Sequence, residues 1–437
     1  MTGPTGWPRQ PSRTATALLR GVYLPRTADS VAFAMTTYGI PLLVLAATGS
    51  AGLTGLAFGL EWLPRLGAFV VAGTLVDRLG TAQVFRAACV LRALVVLTAA
   101  LLLAVHKTGA LAEVIVMVLA PVSGVLTECS YVAAETAGGE ASRTARGRAH
   151  QVQSVLLGID QSAMLAGPVV SGLLLEHGGP AVMLSMLAGF SLLAAALSPR
   201  QRHNPIGSTS ERIGLRAGWQ TLRSLPGLAW LVGGLLASNV AIGLLQAAMP
   251  VIVVTELGRS SSDAGLIWSA AALASLLAVT AARRAIDRWG LWPVGTASAA
   301  IAATATLAVA QADSYSGYLL LIATLMAGEG GLTVVLRTMR SHLIPPSVFG
   351  STLAVTILLL LLPFPAAGLL VAVVPPSDVG IAVTGAALLQ ALGLAIAFTR
   401  LRRLPDPPDL PLREEPIAHA HHHAGRAAGP RPLPDHH

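Results

Sequence analysis

Long apolar runs broken by short polar stretches recur from Ala28 to Phe398. Runs of roughly 18 residues or more are long enough to cross ~30 Å of hydrocarbon as helices. The pattern predicts span 1 over about 28–47, span 2 over 53–76, span 3 over 84–105, span 4 over 111–134 and span 5 over 151–174, with span 6 ending near Leu197. A polar, basic stretch with Pro, Gly and Ser follows and reads as a linker. Six more spans then run from about Gly227 to Phe398, among them span 7 (227–253), span 10 (318–336) and an eleventh broken by Pro363 and Pro365. The expected organisation is an amino-terminal tail (1–27), a six-span bundle (28–198), a linker (199–226), a second six-span bundle (227–400) and a disordered tail rich in Pro and His (401–437).

One polar break stands out. Gly73, Asp77, Arg78 and Gly80 sit in the turn between spans 2 and 3, where the glycines allow close helix packing and the charges need surface water or partners. Asp287, Arg288 and Gly290 repeat the D-R-x-G order between spans 8 and 9 at a constant offset of 210 positions. Two copies half a chain apart indicate an internal duplication.

Composition fits this picture. Of 437 residues, 54% are hydrophobic and 11% charged, which leaves no material for a sizeable soluble core. The net charge of +8 would suit a nucleic-acid partner, but its distribution does not. With the amino terminus cytoplasmic, every Lys and Arg except Arg65, Arg92, Lys107 and Arg259 falls on the cytoplasmic side, in tails and alternate loops. That is the positive-inside bias, and no loop interleaves the charge with aromatics, so no nucleic-acid partner is expected. Both termini are placed in the cytoplasm. Cys89 and Cys129 fall within spans and read as core residues, and the ~27 residues before the first apolar run do not read as a cleaved signal. The Arg-, Ala- and Gly-rich usage points to a GC-rich bacterial genome and hence a bacterial plasma membrane.

Several polar residues lie inside spans. Glu61 and Arg65 are one helical turn apart and read as a neutralising pair. Arg92 is expected to snorkel towards the cytoplasm. Glu128, Asp160 and Glu329 have no base nearby in sequence. A charge in hydrocarbon costs roughly 2.5–3.5 kcal/mol or more, so such an acid must be paired, wetted or protonated. These three are the candidates for proton coupling or cation binding, with a helix-packing hydrogen bond as the structural alternative.

The G-x-x-x-D-R-x-G loop resembles that between spans 2 and 3 of the major facilitator superfamily of transporters. Ala163, Gly167, Pro168, Ser171 and Gly172 in span 5 are similar to its antiporter pattern, with Ala163 and Ser171 replacing glycines. The stretch from Thr48 through Glu61-Trp62-Leu63-Pro64-Arg65 to the first D-R-x-G looks like the macrolide-efflux and drug-export branch. The resemblance implies an all-α membrane fold of two pseudo-symmetric six-helix bundles around a central cavity lined by spans 1, 4, 7 and 10. It also implies that Asp77 helps hold the cytoplasmic gate shut against span 11, with Gly73 allowing the contact. The chain departs from the family pattern at Thr81 and Ala82, which replace a basic pair, and at Arg283, which stands where the first copy has Gly73. Tyr38, Asn239 and Gln246 are the expected polar lining of the substrate site.

The expected function is proton-coupled export of a small amphipathic molecule by a monomer in the lipid bilayer, with protons and substrate as partners and no cofactor. The carboxyl tail carries His419, His421, His422 and His423, whose imidazoles could hold a transition metal. His-rich tails also resemble those of some nickel-resistance exporters, so export of a metal or metallophore is an alternative, and a non-transporting sensor or assembly factor a second. The Walker, zinc-protease and serine-hydrolase signatures G-x-x-x-x-G-K-[ST], H-E-x-x-H and G-x-S-x-G do not occur, and no enzyme activity is expected.

Overall fold

The structure, a computed structural model, describes residues 18–106, 109–144, 149–199, 215–345, 348–375 and 378–403. Apart from isolated turns, its regular elements are helices. The first half holds α1 (Leu24–Thr48), α2 (Ala51–Leu79), α3 (Thr81–Val105), α4 (Ala110–Thr144) and α5 (Ala149–Leu197). A short α6 (Leu215–Ser224) leads into α7 (Pro226–Val251), α8 (Ser261–Trp289), α9 (Leu291–Val309), α10 (Tyr315–Leu343), α11 (Phe349–Leu361), α12 (Pro363–Val373) and α13 (Val379–Leu401).

Ten helical stretches among the described residues are long and apolar enough to cross a membrane. Protein buries only 33–67% of their apolar windows, and side chains such as Leu94, Leu101, Val105, Val373 and Ile381 are left exposed. Such a surface belongs in hydrocarbon, where a helix satisfies its own backbone.

The breaks follow local chemistry. In α5 the backbone leaves helical geometry at Gly179 (φ 75°), before Pro180, so this 49-residue element is two helices joined across a kink. Ser50, Ser260 and Ser314 cap α2, α8 and α10 by accepting from amides three residues on. Pro363 and Pro365 divide α11 from α12, as their missing N–H groups require. The linker is not wholly irregular, because α6 lies within it and buries Gly218 and Leu222, four residues apart on one helical face.

Gly80 and Gly290 match in conformation as well as in sequence. Their φ values are 89° and 87°, each N–H closes the helix before it, and each residue opens the helix after it. The positive φ is why glycine stands at both places.

The end at which α1 begins and α13 finishes is here the tail end, and the opposite one, where α2 and α8 begin, the far end. The two halves join at the far end, α5 against α8 and α2 against α12. There is no room for a side chain at Gly172 against Ser261 and Ser262, and a Cβ at Gly55 would meet the Ala372 backbone nitrogen at 2.7 Å. Towards the tail end the picture reverses. A Cβ at Gly67, Gly73 or Gly158 would meet nothing within 4 Å, and α11 packs on α6 and α7 instead of α2. Among the described residues the halves are joined tightly at the far end, with no comparable joint at the tail end.

Candidate functional site

A pocket lies on the seam between the halves. Thr37, Tyr38, Pro41 and Leu42 of α1 face Gln246, Met249 and Pro250 of α7 and Ala264, Gly265 and Trp268 of α8. Tyr38 and Trp268 meet across the seam with ring centroids 5.5 Å apart. Its cavity volume of about 10 Å³, room for about one water molecule, is far below the roughly 300–1,000 Å³ of pockets that enclose drug-sized ligands. The site is therefore contracted in this conformation. Two of the three residues expected to line it, Tyr38 and Gln246, do so. Asn239 does not: its Nδ2 donates to the Leu360 carbonyl at 2.7 Å, beside the break between α11 and α12. Pro363 and Pro365 take the i+4 donors from the flanking Leu359 and Leu361 carbonyls, and Asn239 binds between these two.

Beside the pocket lies a buried charge cluster. Arg65 and Glu61 are both fully buried, with Nη1 3.3 Å from Oε1 but without hydrogen-bond alignment, so neither Glu61 oxygen has a hydrogen-bond donor. The guanidinium makes long bonds to the Gly124 carbonyl (3.4 Å) and the Thr37 hydroxyl (3.3 Å) and lies over the rings of Trp62 (4.5 Å) and Phe33 (5.2 Å). Gly124 makes this possible, since a side chain there would strike the Glu61 backbone. Glu128, 4% exposed, makes no hydrogen bond among the described residues, but the Arg65 charge acts on it too. Glu61 is thus paired with a guanidinium whose charge also reaches Glu128, away from water. Leaving both acids ionised costs several kcal/mol, so the arrangement favours a proton or an arriving cation on one of them. Trp62 also stacks on Phe364 of α12 with centroids 4.6 Å apart, which ties the cluster to the other half.

The other acids have partners that sequence spacing did not reveal. Asp160 takes a two-pronged bond from Arg26 (2.8 and 2.7 Å) and another from Ser30 (2.7 Å), while Glu135 binds the same guanidinium. Arg26, assigned above to the tail, is a buried part of α1. Arg92 does not snorkel: it is fully buried, bonded to Asp29 (2.7 Å), Ser191 (2.9 Å), Ser130 (3.2 Å) and Thr127 (3.4 Å). Its partners remove the reason to reach for water. Glu329 is not free either, since its Oε1 accepts from Ser238 of α7 and from Gln390 of α13. Neither Glu128 nor Glu329 lines the pocket, in contrast to the cavity-facing acids expected from the sequence.

The span-5 motif forms a helix interface. Gly167 admits Ala34 of α1, the Pro168 carbonyl lies against Gly265, and Gly172 admits the start of α8. In the D-R-x-G turns, Arg78, Asp287 and Arg288 are exposed. The side chain of Asp77 and the histidines 419, 421, 422 and 423 lie outside the described residues. Thr37, Trp268, Ser238 and Gln390 are the site residues that sequence reasoning missed. Only Gln390, a long polar side chain in the middle of the largely apolar α13, carried a visible signal.

The sequence model of the Major Facilitator Superfamily matches residues 27–363. No curated protein matches the chain in sequence. Among solved structures, a bacterial homologue of the iron transporter ferroportin in an inward-facing state superposes with a TM-score of 0.66 at 17% identity, covering 91% of this chain and 100% of that one. A bacterial homologue of the human lysosomal transporter Spinster, inward-facing and unoccupied, gives 0.65 at 13% identity over 90% and 98% of the two chains. A bacterial metal transporter gives 0.62 at 18% identity over 90% and 99%. At these identities the likeness is one of fold.

Proposed function

The chain belongs to the major facilitator superfamily, and from that premise we propose that this transporter exports a small amphipathic molecule in exchange for protons. Its twelve spans, as two six-helix bundles, would rock about the pocket on their seam. Thr37 carries this reading, because it lines the pocket and also accepts from Arg65. The charge cluster therefore ends on the wall of the cargo site. A proton gained or lost by Glu61 or Glu128 changes what Arg65 must neutralise, and with it the hold on Thr37. Such a change drives transport only if protonation differs in energy between the two conformations.

The pocket wall has no charged side chain among its lining residues. Thr37, Tyr38 and Gln246 offer hydrogen bonds, and Trp268, Leu42, Met249 and the prolines offer apolar surface. That lining suits an uncharged, amphipathic cargo. With the halves joined tightly at the far end and the tails in the cytoplasm of a bacterial cell, as the arginine distribution has it, loading is cytoplasmic and release outward. Asp77 and α11 would close the tail end in the opposite state.

Proteoliposome flux under an imposed pH gradient tests the reading. Glu128→Gln, and separately Glu329→Gln, should stop pH-driven movement of a cargo found by screening a deletion strain against antibiotics. Undiminished transport by both variants would overturn the proton coupling. No group of three His, Cys, Asp or Glu side chains stands together among the described residues, which favours an organic cargo over a metal. Truncation after Arg403 should accordingly leave tolerance to nickel, cobalt and zinc unchanged.

A further inference from the structure

Glu329 is set in the second half by its neighbours in Gly328-Glu329-Gly330-Gly331. A Cβ at Gly328 would meet the backbone of Ala302 and Ser298 in α9 at 2.7 Å, and one at Gly330 would meet the Ser275 carbonyl of α8 at 2.8 Å. With α10 pressed on α8 and α9 through these glycines, the glutamate side chain bonds instead to α7 and α13. There the Ser238 hydroxyl donates to Oε1, and the Gln390 amide nitrogen donates to the same oxygen at 3.3 Å and to Ser238 Oγ at 2.6 Å. Ser238 and Gln390 are fully buried. Among the described residues no charged side chain bonds the acid: α7 and α9 contain none, α13 has only Arg400 in its last turn, those of α8 lie in its first turn or its last two turns, and Arg337 and Arg340 of α10 itself lie two turns or more further along.

One atom in this cluster is left over. Gln390 Oε1 is sealed in protein without a hydrogen-bond donor, a rare state for a buried amide oxygen. The amide already donates its N–H to one carboxyl oxygen of Glu329. A carboxylic acid and an amide can close a cyclic pair: the amide N–H bonds the acid's carbonyl oxygen, and the acid's O–H bonds the amide oxygen. Only the first arm is formed here. A proton on Glu329 Oε2 is the donor that the second arm lacks, and an ionised carboxylate cannot supply it.

We propose that Ser238, Glu329 and Gln390 form a proton-holding site in the second half, in which Gln390 is a positioning residue that closes a cyclic pair with the protonated acid. Ser238 and the amide N–H hold the ionised form, and the amide oxygen completes the protonated one. The proton comes from water and returns to it. The use of this site in transport rests on the proton-coupled reading above; its existence does not.

Infrared difference spectroscopy of the full-length protein across a pH titration tests the site without any substrate. A carboxylic-acid carbonyl band should appear on acidification, vanish in Glu329→Gln and move to higher frequency in Gln390→Leu, where the acid's O–H loses its acceptor. Gln390→Asn, one methylene shorter, keeps an amide but cannot span the ring, and should move the band likewise if the leucine variant does not fold. A band that Glu329→Gln leaves in place, or that both Gln390 variants leave unmoved, overturns the proposal. A band that responds as expected in a protein whose transport ignores pH would uphold this site and sink the proton-coupled function. Proton-driven transport with an insensitive band would do the reverse.

Discussion

Gly265 of α8 lies against the Pro168 carbonyl of α5 so closely that no side chain fits between them. This contact joins the halves at the far end and borders the pocket, since Gly265 is also one of its lining residues. Small residues at such a crossing allow the dense packing that holds helices together in lipid.

Gly265→Val should therefore prevent far-end closure. The variant should still fold, because each bundle keeps its own contacts, but it should lose cyclic transport. In a background lacking Cys89 and Cys129, a cysteine at Ala264 should be alkylated from the far side in the variant and protected without it. Equal protection in both would show that this crossing does not set the state.

Glu176 fastens the same seam at the surface, where its carboxylate accepts from the backbone N–H and the hydroxyl of Ser262 in the first turn of α8. Glu176→Ala should raise the far-side alkylation rate at position 264, since it removes both hydrogen bonds that hold Ser262 across the seam. An unchanged rate would remove Glu176 from the closure.

Arg65 neutralises Glu61 and acts on Glu128. Arg65→Met leaves both acids without a base, and uncompensated buried charge costs about 3–5 kcal/mol. The melting temperature in detergent should fall, and adding Glu61→Gln should recover much of the loss. If the second substitution lowers it further, the two side chains are not energetically paired.

Asn239 serves the break between α11 and α12 and not the cargo. Asn239→Ala should cost about 0.5–1.5 kcal/mol of stability through the lost hydrogen bond to the Leu360 carbonyl, with little change in KM. A raised KM at unchanged stability would return Asn239 to the substrate site.

The long apolar helices, the doubled turn and the break between α11 and α12 were legible because each depends on local sequence: an apolar run, a glycine at positive φ, two prolines without N–H groups. The partners of the buried charges were not. Asp160 meets Arg26 from 134 positions away, and Glu329 meets Gln390 from 61. The side chains that satisfy Arg92 are ordinary serines and a threonine on other helices, plus Asp29 of the first span. Nothing in their own neighbourhoods marks them, because helix packing and not spacing brings them together. Asn239 was misplaced for the same reason, since a polar residue in a span can serve a neighbouring backbone as readily as a cavity.

The short α6 gives access of a different kind. Gly218 leaves no space between it and the backbone of Ser351 and Thr352 in α11, while Trp219 on its other side is exposed. The helix between the bundles is thus also a splint on α11, the rod that the proposed closure of the tail end would swing. An antibody fragment gripping Trp219 would brake the cycle from outside the bilayer without competing for cargo, which offers inhibitor discovery a handle remote from the pocket.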